Sequence, residues 1–180
     1  MRFAGITETG PDDPKQKMLS QAGHEEPWDV IMFAYSLLNQ NARHAIFPKT
    51  QQREIGTLLM FAVRNVFSRP DNRRETFAQL VDEGHLPADF SSGNDPLDFL
   101  VSEGGATSIT DAAYRFARHE AGADVILFGT GNKDHVKDNI GSILRPPLAP
   151  EFVARLHKTF GHLVGVGLDL PDHMQNKSKS

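Results

Sequence analysis

Four short apolar runs, each separated from the next by a helical pattern, constrain this chain more than any other feature. They are Arg2–Thr7 (RFAGIT), Asp29–Tyr35 (DVIMFAY), Gly56–Val63 (GTLLMFAV) and Val125–Phe128 (VILF). The second and third are continuously apolar, as strands buried on both faces are. Strands alternating with helical segments imply βαβ units, a parallel sheet and right-handed crossovers. Ligands of parallel α/β folds sit at the carboxyl ends of the strands. The residues to watch therefore follow the runs: Thr7 and Glu8, Tyr35 and Ser36, Met60 to Asn65, and Gly129 to Asn132.

The last run belongs to a longer stretch, Asp124–Asn139 (DVILFGTGNKDHVKDN). The strand stops at Gly129-Thr130-Gly131, and Asn132 is a good N-cap residue. Val136, Ile140, Ile143 and Leu144 then repeat as the apolar stripe of a helix packed on something flat. Backbone N–H groups at the positive end of a helix dipole suit a phosphate. A purely structural strand-to-helix turn, with glycines chosen for its geometry, reads equally well.

The segments between the runs read as helices. One covers Asp13–Ala22, with Met18 and Leu19 inward and Gly23 ending it. Another starts near Asn41 and carries Ala42, Ala45, Ile46 and Lys49, with Pro48 kinking or shortening it. Residues 64–107 form a long insertion that opens with Arg64, Arg69, Arg73 and Arg74, which can meet phosphate oxygens bidentately. Within it a short helix covers Glu75–Gly84 through Phe77, Leu80 and Val81. Ser108 and Asp111 form a capping-box-like pair that opens the next helix. A final helix starts near Pro150, with Phe152, Val153, Leu156 and Phe160 at helical spacing. From Gly165 to Ser180 a polar tail is expected to be disordered.

Composition narrows the function classes. The 180 residues carry a net charge of −4, which does not suit a nucleic acid partner. There is no cysteine, which excludes disulfides and thiol chemistry and fits a cytoplasmic location. No run approaches the ~18 apolar residues of a membrane span. The eight histidines show no ligand spacing, so no metal is assigned. Neither a P-loop nor the dinucleotide fingerprint is present.

From Gly129-Thr130-Gly131-Asn132 through Asp138-Asn139 the sequence resembles the carboxyl half of the aldo/keto reductase family. Arg2–Glu8 (RFAGITE) is similar to that family's fifth strand, Asp29–Asn39 to its sixth, Ile55–Val63 to its seventh, and Asp124–Asn139 to its eighth with the following helix. Arg145-Pro146-Pro147-Leu148 sits where members leave that helix. The resemblance runs to about Phe160. It implies an α/β fold, parallel β/α units forming the C-terminal half of a TIM (β/α)8 barrel over residues 1–164. At 180 residues the chain is shorter than the ~250 of a complete barrel.

The family's catalytic Asp, Tyr, Lys and His lie on the absent strands, so the resemblance assigns no catalytic residue here. It does imply cofactor contacts. Thr7 and Glu8 match the pair that holds the nicotinamide carboxamide, although a carboxylate cannot donate as Asn does. Met32 stands where many members have a Gln, and Met60 where a ring often stacks on the nicotinamide. Arg64 and Asn65 begin the segment that wraps the pyrophosphate. Gly129 and Thr130 match residues touching the adenosine phosphate. His135 stands beside the 2′-phosphate, and Asp138 and Asn139 match the pair that reads adenine. With Lys133 and Lys137 nearby, NADP is the implied cofactor and NAD the alternative.

The implied function is an oxidoreductase segment. It supplies the cofactor half of a reductase that moves hydride to a small carbonyl substrate, and is inactive alone. Its partner is a missing N-terminal half-barrel or a second copy. The competing readings are a non-catalytic, nucleotide-binding or self-associating half-barrel, and a flavodoxin-like doubly wound domain.

Overall fold

A computed structural model describes residues 2–8, 13–25, 28–90, 93 and 95–168. The four apolar runs become β1 (Gly5–Thr7), β2 (Val30–Ala34), β3 (Gly56–Met60) and β4 (Val125–Ile126). They form one sheet in the order β1-β2-β3-β4, and every pairing is parallel. The order advances by one strand at each crossover and never reverses. A doubly wound domain needs a reversal, its topological switch point, so the flavodoxin-like reading is wrong.

Crossovers of one hand and one direction place the connecting helices on one face of the sheet. Residues pointing to that face are buried: Ile31, Phe33 and Leu59 are fully covered and Ile126 nearly so. Of the alternate residues, Val30, Met32, Leu58 and Met60 are only half-buried, whereas Ala34 at the end of β2 is fully covered. At the β4 end Val125 and Leu127 are 44% and 38% exposed. Thr7, Met32, Leu58 and Val125 are register partners in one row across all four strands, so an apolar row lies open along the sheet.

The first helix, α1 (Lys17–Ala22), starts later than the expected Asp13. Gln16 adopts a left-handed conformation, φ 52°, and the Met18 N–H donates to Asp13 Oδ2 at 2.8 Å. The helix expected from Asn41 is broken, as Pro48 requires, into α2 (Ala42–Ala45) and α3 (Phe47–Gln52), with Ile46 between them. Phe47 of α3 sits edge-on to Phe33 and Tyr35 of the sheet, both at 5.2 Å between ring centroids. The Tyr35 hydroxyl donates to Glu120 Oε2 at 2.6 Å, and Arg43 donates to Oε1 of the same carboxylate at 3.2 Å.

The insertion is folded. It carries α4 (Asn65–Ser68), α5 (Pro70–Asp82) and α6 (Phe99–Ser102). α5 starts at Pro70, ahead of the expected Glu75, because proline is favoured in the first turn. Then follow α7 (Ile109–Arg118), α8 (Lys133–Leu144) and α9 (Pro150–Phe160). The Ser108 cap of α7 is present, Ser108 Oγ accepting from the Asp111 N–H at 3.0 Å. Asp111 Oδ2, however, reaches past the cap residue and accepts from the Thr107 N–H at 3.1 Å, so the reciprocal bond of a capping box is displaced by one residue.

Two expectations need correction. The apolar stripe of α8 is not packed along its length: Ile140 is 45% and Leu144 78% exposed. β4 is an edge strand, so among the described residues no further strand lies beside α8 to receive them. The tail does not lose its structure at Gly165. The Gly165 N–H donates to Asn39 Oδ1 at 2.9 Å, and Leu168 is buried. The rest of the expected tail, from residue 169, lies outside the described residues. Among the described residues no helix is long and apolar enough to cross a membrane.

Candidate functional site

At the carboxyl end of β4, the turn Gly129-Thr130-Gly131 enters α8 as its sequence suggests. Thr130 Oγ1 accepts from the Asn132 N–H at 3.1 Å, and Asn132 Oδ1 accepts from the Asp134 N–H at 2.9 Å. Asn132 is thus a working N-cap. At Gly129 and Gly131 the backbone is not left-handed, and an added Cβ at either would meet nothing within 4 Å. The turn's own geometry therefore does not demand glycine there.

This turn forms one end of a groove of about 1070 Å³ between α7, α8 and the start of the insertion. Seven of the ten residues picked out in the sequence line it: Arg64, Asn65, Gly129, Thr130, His135, Asp138 and Asn139. Lys137, Arg69 and Arg145 add positive charge. A chain of net charge −4 thus lines one concave surface with several cationic side chains, the electrostatic signature of an anionic ligand.

Packing sets the groove's walls. The Arg145 guanidinium lies at the exit of α8, where its Nη1 donates to Thr107 Oγ1 at 2.6 Å and sits 3.1 Å from Asp111 Oδ1. Arg115, buried beneath, donates to the carbonyls of Pro146 and Pro147 at 2.8 and 3.1 Å. The Tyr114 ring stands edge-on to Phe128 at 6.3 Å, and burial pushes its phenol up to about 12, so it stays neutral. Beyond β3, Phe61 holds φ 65°, a strained conformation for a bulky residue, and the Arg64 guanidinium stacks 4.8 Å from its ring centre.

The insertion's four arginines divide. Arg64 and Arg69 line the groove. Arg73 does not: it is buried, ion-paired with Asp95, and donates to the carbonyls of Val66 and Phe67. Arg74 pairs with Asp71 on the surface. The expectation that all four face phosphate is corrected, because two are taken up by the fold of the insertion itself.

Thr7, Glu8 and Met60 do not line the groove. Glu8 is buried under Gln16, whose Nε2 donates to Glu8 Oε2 and to the Ala34 carbonyl, both at 2.9 Å. Glu8 Oε1 has no hydrogen-bond partner among the described residues. Burial is the main cause that raises the Glu8 pKa above the ordinary 4.5. The folded chain therefore holds this proton more tightly than the unfolded one. The stability linked to Glu8 is complete below pH 4.5 and is lost as pH rises through the raised value. Glu8→Gln is expected to remove this loss, so that its urea midpoint exceeds that of the wild type increasingly from pH 4 towards pH 8. A constant difference across that range would show that Glu8 does not titrate as described.

The contribution of α7 is absent from the sequence reading. Thr107, Ser108, Thr110 and Tyr114 form one wall of the groove, yet their pattern signals only a cap and a core face. Arg145 was legible only as part of the segment that leaves the helix. Among the described residues no group of three or more His, Cys, Asp or Glu side chains is placed to hold a metal ion.

A sequentially wound, all-parallel sheet with a groove at a strand outlet defines an α/β protein. The family model for aldo/keto reductases matches residues 2–159, and the chain belongs to the aldo/keto reductase family. Two solved forms of an aldo-keto reductase from Bacillus halodurans, holo and apo, match it with a TM-score of 0.60 at 18% identity. Each match covers 88% of this chain but 50% and 51% of the respective neighbour, so the chain spans about half the length of these structures. No curated protein sequence matches the chain.

Proposed function

We propose that the chain is the cofactor-binding part of an aldo/keto reductase-like oxidoreductase, corresponding to barrel strands five to eight, and that its groove takes the adenosine end of NADP(H). The observation that carries this reading is the convergence of Asp138, Asn139, His135, Thr130 and Arg64 on one concave surface. One helix then serves both ends of an adenosine phosphate. Its capped first turn faces phosphate, and its second turn offers an acid and an amide to the base. His135, Lys133 and Lys137 favour a 2′-phosphate, hence NADP over NAD.

The other end of the cofactor fits less well. The bound cofactor supplies hydride, and the chain must hold the ring that carries it. Glu8 is already occupied by Gln16, and Met32 and Met60 offer thioethers in place of a polar or flat partner. The isolated chain is therefore expected to bind NADPH weakly and to reduce no carbonyl, because the proton-donating residues belong to strands outside it.

Titration calorimetry with NADPH, 2′,5′-ADP and 5′-AMP tests this. The 2′-phosphorylated ligands should bind more tightly than 5′-AMP, and Asp138→Ala/Asn139→Ala should abolish binding. Submillimolar NADPH affinity that vanishes in that variant would favour the non-catalytic nucleotide module. Carbonyl turnover by the isolated chain would overturn the assignment of catalysis to absent residues.

A further inference from the structure

We propose that two copies of this chain associate about a two-fold axis that is the barrel axis, the β4 edge of each pairing with the β1 edge of the other to close one eight-stranded barrel. The inference stands on the sheet and not on the nucleotide reading. Among the described residues both outer strands lack a neighbour on one side, and they carry no charge: Gly5-Ile6-Thr7 at one edge, Val125-Ile126 at the other. Neither edge has the lysine, proline or bulge that protects exposed strands. The open face between them bears Met32, Leu58 and Val125 in one row, which water meets unless something covers it.

A second copy fits this surface in direction, number, register and charge. Rotation about the barrel axis, to which strands of such a barrel tilt by about 36°, keeps all eight strands running in one sense, as the three pairings within the chain already do. The matched reductase is about twice as long as the aligned part of this chain, so two copies restore the span of one such structure. An eight-stranded barrel of this type has a shear of eight, so the register falls by about four residues towards the amino ends over each half. The row through Thr7, Met32, Leu58 and Val125 then meets Phe3 of the second copy, a side chain 72% exposed in the single chain. The same offset brings Arg2 of one copy beside Asp124 of the other, and both are exposed and opposite in charge. α8 lies outside this seam, so Ile140 and Leu144 gain the outer side of the second β1, where Ile6 is only half-buried.

Sedimentation equilibrium on the full chain at micromolar concentrations should give twice the chain mass and no larger species. Leu127→Glu, at a position already exposed, should give a monomer with unchanged circular dichroism. The chain has no cysteine, so introduced thiols report only on themselves. Neighbouring strands lie about 4.8 Å apart, within the ~4.4–6.8 Å that a disulfide spans. Chains carrying F3C and chains carrying V125C should cross-link when mixed and oxidised, and neither should cross-link to itself. A wild-type monomer, open-ended aggregation, a dimer that survives Leu127→Glu, or self-linking of F3C alone would each overturn the proposal. So would a monomer that pairs only with a separate chain supplying the other strands.

Discussion

Phe77→Ala is expected to lower the unfolding free energy by about 3–5 kcal/mol, the range for truncating a fully buried aromatic side chain. Phe77 is completely covered, lies parallel to Phe160 at 5.9 Å between centroids, and meets Phe90 edge-on at 5.4 Å. The three rings come from α5, the following loop and α9, so the cluster joins the insertion to the last helix. Alanine leaves a space that Phe90 and Phe160, which touch each other at 5.8 Å, cannot both fill without losing their own contact. Phe77→Leu should recover about half of the loss, since it restores volume but not ring geometry. Urea unfolding of both variants checks this. A loss under about 1 kcal/mol for alanine would mean that the cluster relaxes freely and that the insertion is not integral to the core.

Arg115→Ala should be comparably damaging, about 3–5 kcal/mol, for a different reason. Arg115 is 8% exposed, and its guanidinium binds the carbonyls of Pro146, Pro147 and Gly105. It also lies 3.5 Å from Asp111, a carboxylate with a side chain 1% exposed. Without it three carbonyls lose their donor, and Asp111 keeps Arg145 alone as its ionic partner. Arg145 lines the groove, so the variant should also disturb that wall. Arg115→Lys should rescue little, because an ammonium cannot reproduce the planar fork that reaches several carbonyls at once. Urea unfolding measures the stability term, and hydrogen exchange at the end of α8 measures the local one. A lysine variant of wild-type stability would show that charge alone suffices.

The parallel sheet was legible because its strands are short apolar runs whose lengths and separations admit little else. The break near Ile46 was legible from Pro48, and the α8 cap from Asn132, because both are local chemistry. The groove was legible along α8 and after β3, where particular residue types follow a strand. It was not legible along α7, because Thr110 and Tyr114 become a wall only when α7 lies against α8, and that packing leaves no local signature. The division of the arginines was hidden for the same reason: Asp95, which takes Arg73, lies 22 residues away. The exposure of Ile140 and Leu144 could not be read from periodicity either, since an apolar stripe states that a face wants cover and not whether the same chain provides it.

The spacing of the β3–β4 crossover has an entropic consequence. Hydrogen bonds joining β1 to β2 close loops of 25 residues, as at Ala4 and Asp29, whereas Thr57 and Asp124 close one of 67. The longer closure adds only about 0.9 kcal/mol by the logarithmic loop law. That penalty is several-fold smaller than the contribution of one buried phenylalanine in the inserted segment. The segment between β3 and α7 can thus be lengthened at little entropic expense, provided Phe77 and its ring partners are kept, while the strands beneath hold their register.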